Sequence, residues 1–206
     1  MGAMSDEQLV LPFPADVLAD VRRFLGDLRK ELPQLFPRAK GRARRVPFMG
    51  RELAVRVVAD SESESTVLRE EDGALLILRS PADAAHPHDL LRQWYREKAR
   101  EIFVSRTTHF AEVMGLKFGR ISIKDQRSLW GSCSREGNLN FNWRVVMAPP
   151  EALDYLVIHE LAHLKEMNHS RRFWAVVAEH CPAWREHRRW LRDHSRRLKT
   201  SVRRAR

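Results

Sequence analysis

Residues 149–169, PPEALDYLVIHELAHLKEMNH, decide how this chain is read. Pro149 and Pro150 suit the opening turn of a helix, where a missing N–H is not required, and the pattern behind them runs helical to about Lys165. Leu153, Leu156, Val157, Leu161 and Leu164 make one apolar stripe, while Tyr155, Ile158 and Ala162 cover the opposite side. A helix apolar nearly all round is a buried helix. Into this core element the sequence sets three ionisable groups, His159, Glu160 and His163. Residues four apart lie about 40° apart around a helix and one turn along it, so His159 and His163 can hold one ion at about 2.0–2.1 Å. Glu160 projects from the adjacent part of that face. A buried carboxylate is costly without a partner, and a cation with its bound water supplies one.

With 9 histidines and 27 acidic residues in 206 positions, the five-residue pattern alone arises by chance in up to roughly 5% of such chains. Requiring a third histidine at one fixed distance multiplies that expectation by about 0.04. His169 is that histidine, provided the chain leaves the helix between Lys165 and Asn168 and turns back. Asn168 is the residue there that best tolerates a left-handed backbone. Glu179, on the next helix, competes for the third position, since two histidines and a glutamate are equally good zinc chemistry. Three protein ligands leave one position for water, which is the catalytic rather than the structural pattern of zinc. The expected chemistry is hydrolysis of an amide bond. Zinc polarises the carbonyl and acidifies a water, whose proton Glu160 takes as general base and passes to the leaving amine. Arg127, Tyr155 and His180 are candidates, by residue type, for stabilising the oxyanion. The competing reading is a basic nucleic-acid-binding module with a structural zinc and an incidental Glu160.

The flanking sequence predicts an α+β fold. Upstream, residues 87–114 read as a helix with Leu90, Leu91, Trp94, Tyr95, Ala99 and Phe103 on one side, closed by a left-handed cap at Gly115. Three short segments follow at 116–124, 128–134 and 138–143, joined by polar turns, and they suggest a small antiparallel meander. Residues 52–58 and 74–78 look like strands of a small β-rich region, separated by a serine-rich segment. An amphipathic helix at 14–32, stopped by Pro33 and Pro37, leads into the basic run 38–45. Downstream, helices are expected at 170–181 and from Pro182 to about Leu198. The resulting division is 1–45 (opening residues, helix and basic linker), 46–86 (β-rich), 87–198 (metal-bearing) and 199–206 (basic tail). The opening Met-Gly-Ala-Met reads as an addition ahead of a second start methionine and is excluded from the fold.

Composition narrows the classes further. A 43% hydrophobic content is enough for a genuine core. No run approaches the roughly 18 apolar residues of a membrane span, and the start lacks a signal-peptide layout, so the expected compartment is the cytoplasm. Cys133 and Cys181 are expected as free thiols. The formal charge of +10 is concentrated in 38–45 and 185–206, which predicts attraction to polyanions. Arg185, Arg188, Arg189, Arg192, Arg196 and Arg197 recur at helical steps beside Trp184 and Trp190. That pattern predicts a DNA or RNA contact through phosphates and base stacking, with a merely solvated surface as the alternative.

The stretch RSLWGSCSREGNLNFNWRVVMAPPEALDYLVIHELAHLKEMNHSRRFW, residues 127–174, resembles the YgjP-like metallopeptidase family, relatives of the SprT-like zincins. The likeness extends more loosely over 46–198. It implies a minimal zincin core of sheet plus helices, an H-E-x-x-H helix binding zinc, a third histidine six residues on at His169, and a polypeptide substrate. Metzincins share the spacing, but where they carry a glycine this chain has Glu166. Trp130-Gly131-Ser132-Cys133 belongs to the resembling stretch. Small residues there suit either close approach of an extended substrate or a tight turn under Trp130.

Overall fold

The computed structural model describes residues 45–59, 65–80 and 87–202. The expected helix at 14–32, the basic run before Arg45, most of the serine-rich segment and the last four residues lie outside the described residues. All of the described residues belong to one compact unit, 43–206.

Strand β1 (Arg45–Phe48) turns through Met49 and Gly50 into β2 (Arg51–Ala59), and β3 (Val67–Glu71) turns through Asp72 and Gly73 into β4 (Ala74–Arg79). All four turn residues have positive φ, between 48° and 75°, as two-residue hairpin turns that match the strand twist require. The sheet order is β1-β2-β4-β3, with β2 parallel to β4. The sequence located β2 and β4 and missed their hairpin partners. Asp72-Gly73 was the available signal for β3.

Helix α1 (Pro87–Met114) has the expected bounds and buries Leu91, Trp94, Tyr95, Ala99 and Phe103. It stops at Gly115, φ 65°, where the Leu116 N–H returns to the Ala111 carbonyl at 2.8 Å, a glycine-type helix end. Strands β5 (Ile121–Lys124), β6 (Gly131–Cys133) and β7 (Leu139–Asn142) form a second sheet. The α+β class holds, but this sheet is mixed rather than an antiparallel meander. Its order is β5-β7-β6, and β5 runs parallel to β7. The cause is the β5–β6 connection. The buried Asn142 donates from its side-chain amide to the Gln126 carbonyl at 2.7 Å and the Leu129 carbonyl at 3.3 Å. Those bonds carry the connection past the end of β7 and deliver β6 to its far side.

Asn142 then accepts from the Arg144 N–H and starts a 3₁₀ turn, Trp143–Met147. Helix α2 (Pro150–Ala162) follows, buried on nearly every side, with Leu153, Val157, Ile158, Leu161 and Ala162 no more than 1% exposed. It packs between α1 and β6 on one hand and two later helices on the other. Ser170 caps α3 (Arg171–His180) by accepting from the Phe173 N–H. The helix expected over 182–198 is two helices, α4 (Trp184–Asp193) and α5 (Ser195–Thr200). They break at His194, whose Nδ1 turns back to the Trp190 carbonyl at 2.9 Å, a local side-chain bond that competes with helix continuation. No described helix is long and apolar enough to cross a membrane.

Candidate metal centre

His159 and His163 stand one turn apart at the C-terminal end of α2, and helical backbone persists through His163 (φ −64°, ψ −19°). The chain then reverses in a tight loop, with the Glu166 N–H on the Ala162 carbonyl and the Ser170 N–H on the Asn168 carbonyl. Asn168 does not use the left-handed backbone expected of it. Met49 and Asp72 are the described non-glycine residues with positive φ. The loop returns His169 to the helix, and its Nε2 lies 3.1 Å from His159 Nε2. Phe173 supports all three rings, with centroids 4.9, 4.5 and 4.7 Å from those of His159, His163 and His169.

The three imidazoles offer ligand nitrogens that all lie within 4.8 Å of one another. Two nitrogens on one tetrahedral ion at about 2.0–2.1 Å sit roughly 3.3 Å apart, close to the His159–His169 separation. His163 Nδ1 lies 3.2 Å from the Glu166 carbonyl, so the ring donates there and leaves Nε2 as the lone-pair nitrogen. Tyr155 Oη lies 3.5 Å from His159 Nδ1, and a hydroxyl can accept from that nitrogen in the tautomer that leaves Nε2 its lone pair. Burial, aided by the charges of His163, His169 and Arg188, pushes His159 down to about 3, and burial lowers His163 as well. Neutral rings are the form that ligates a metal. The donor set therefore fits a divalent ion of the zinc kind. Glu179 is not part of it, its side chain being 69% exposed and directed toward His180.

Glu160 points into the cleft beside these rings and is 3% exposed. Burial pushes its carboxyl up to about 8. The cleft, about 490 Å³, is also lined by Ser128, Leu129, Trp130, Gly131, Tyr155, Leu156, Arg188, Leu191, Arg192 and Ser195. A Cβ on Gly131 would come 2.5 Å from Glu160 Oε1 and 2.8 Å from its carboxyl carbon. Thus the small residue on β6 makes room for the carboxylate. We expect Gly131→Ala to keep the fold, because the clash falls on the Glu160 side chain and on no backbone atom, while kcat/KM drops about 10–100-fold from displacement of that carboxylate. Retention of full activity would show that the close approach has no functional role.

A model of the YgjP-like metallopeptidase domain matches residues 19–194. The chain belongs to this family. Among solved structures, it is similar to the metallopeptidase zymogen abylysin of Pyrococcus abyssi, at 24% identity over 44% of this chain and 93% of that one, TM-score 0.41. Jannalysin of Methanocaldococcus jannaschii, also a metallopeptidase zymogen, matches at 24% identity over 37% and 79% of the two chains, TM-score 0.34. No curated protein sequence gives a significant match.

Of the three oxyanion candidates, Tyr155 alone lines the cleft of this YgjP-like domain. Arg127 lies in a separate depression with Arg92, Asp125, Arg144 and Lys199, and His180 Nε2 is buried outside the cleft lining. Arg188 was grouped by the sequence with the arginines expected to contact DNA or RNA phosphates. It shares a helical row with the buried Trp184 and Leu191, a pattern that does mark the inner face of α4. Trp184 is itself 7% exposed and stacked on Trp174 at 4.2 Å, and Trp190 is stacked on His194 at 4.1 Å. The expected stacking of bases on Trp184 is therefore withdrawn, and nucleic-acid association is left with the arginine charges as its support.

Proposed function

We propose that this metallopeptidase-family chain is a zinc peptidase of the H-E-x-x-H, zincin type, with His159, His163 and His169 as the metal ligands and Glu160 as the general base. The observation that carries this reading is the placement of Glu160. Its carboxylate is buried, faces the cleft beside three clustered imidazoles, and accepts no hydrogen bond from another described residue. A zinc ion held there would supply Lewis-acid polarisation of the scissile carbonyl and an acidified water.

The residues of the chain do the rest. Glu160 accepts a proton at a carboxylate oxygen and releases it to the leaving amine. A carboxylate placed beside the metal position, and not on it, is within reach of both halves of that transfer. Tyr155 holds the His159 ring by its Nδ1 and presents its hydroxyl to the same cleft. Strand β6 is an edge of its sheet and lies against α2, so an extended polypeptide can pair along it and bring a peptide bond over Glu160. The competing module with structural zinc gives Glu160 nothing to do and leaves the cost of its burial unexplained.

The test is removal of the metal. Cleavage of an unfolded protein should stop after dialysis against a chelator and return with about one equivalent of zinc per chain. Undiminished cleavage by the metal-free protein would overturn the proposal.

A further inference from the structure

The cleft has two unlike walls. On one side stand Leu129, 48% exposed, and Trp130; on the other stand Arg188 and Arg192, one turn apart on α4. Trp184 and Leu191 anchor α4 in the core, and Arg188 belongs to the same helical row, so packing of the helix fixes where its side chain starts. The guanidinium carbon lies 5.0 Å from the centre of the Trp174 ring. Two arginines of this stretch have acidic partners, Arg192 with Asp193 at 2.9 Å and Arg197 with Glu52 at 2.5 Å; of Arg185, Arg188, Arg189 and Arg196, which pair with no carboxylate among the described residues, Arg188 is the one that lines the cleft. A guanidinium resting on an aromatic ring keeps its fork of N–H donors for a second partner, and a carboxylate is the partner whose geometry matches that fork.

We propose that Arg188 selects substrates bearing a carboxylate close to the bond being cut, gripping it as a two-pronged ion pair beside the metal centre. The inference rests on the peptidase reading above and names the substrate class for the same cleft. The carboxylate belongs either to an Asp or Glu side chain or to the free C-terminus of the polypeptide, since both present the same group. Arg188 is exposed to solvent, so the selection is moderate and weakens with salt.

The experiment has two arms. In one, amidated peptides with a single Glu walked through the positions around the cleaved bond are compared with their Gln counterparts. In the other, neutral peptides with a free C-terminus are compared with the same peptides amidated. Each arm is read as a ratio of kcat/KM on the zinc-loaded protein, and as a ratio of affinities, by fluorescence anisotropy of labelled peptides, on the metal-free protein. The expected result is a preference of about tenfold for the carboxylate in one arm. That preference should collapse toward unity in Arg188→Gln and turn toward Lys-bearing peptides in Arg188→Glu. Ratios near unity in both arms of the wild type, or a preference that survives Arg188→Gln, would overturn the inference. If no peptide is cleaved, the peptidase reading fails, while the affinity ratios on the metal-free protein still decide the role of Arg188.

Discussion

Glu160→Gln is expected to lower kcat/KM by about 10²–10⁴-fold, the range lost with a positioned general base, while zinc content stays at the wild-type level. Glutamine keeps the length and shape of the side chain, so it fits above Gly131 as the carboxylate does, but it cannot take a proton from water. It also relieves a burden on the metal-free fold. The Glu160 carboxyl is pushed up to about 8 from an ordinary 4.5 by burial. Between those values the folded metal-free protein holds a proton that the unfolded chain has released, so stability falls as pH rises from 4.5 toward 8. The variant lacks that slope. Removing a buried ionisable group without a partner should raise its metal-free stability by about 1–3 kcal/mol at the alkaline end of the window. Thermal melts of both proteins in chelator across this pH range, alongside single-turnover cleavage and metal analysis, check all three statements. Wild-type cleavage by the variant would remove Glu160 from the mechanism. Coupled loss of zinc would make it a ligand instead.

His159→Ala, His163→Ala and His169→Ala are each expected to weaken zinc binding by more than about 100-fold, the upper end of what loss of an outer-sphere partner costs. The three variants should differ in the fold they leave behind. His159 and His163 sit on a helix whose conformation is set by its buried apolar residues, so its secondary structure should survive their loss. His169 is held at the end of a loop by contacts with His159, Phe173 and Trp174, so proteolysis between α2 and α3 should speed up most in His169→Ala. Glu179→Ala should retain zinc fully, given the exposure of that side chain. Elemental analysis of the set decides between the two candidates for third ligand. Zinc kept in His169→Ala and lost in Glu179→Ala would transfer the role.

The sequence by itself determined what is local. Helix α1 was legible to the residue because its apolar spacing is long and Gly115 ends it, and α3 was legible because Ser170 caps it. His159 and His163 on one face follow from the 3.6-residue helical turn alone. The buried character of α2 was legible in its nearly continuous apolar surface, and with it the need of Glu160 for a partner. Tertiary structure decided everything that depends on which distant segments meet. The parallel pairing of β5 with β7 was hidden because three short strands joined by turns look alike whichever neighbour they choose. A buried amide, Asn142, made the choice by binding carbonyls 13 and 16 residues away. Likewise, nothing local distinguishes Gly131 as the residue facing Glu160, and the row shared with Trp184 and Leu191 marks the side of α4 on which Arg188 starts without saying that a cleft lies there. The side of Gly131 is set by strand pairing and the cleft beside Arg188 by the packing of α4 on α2, and both bring together segments so far apart in sequence that residue periodicity carries no information about them.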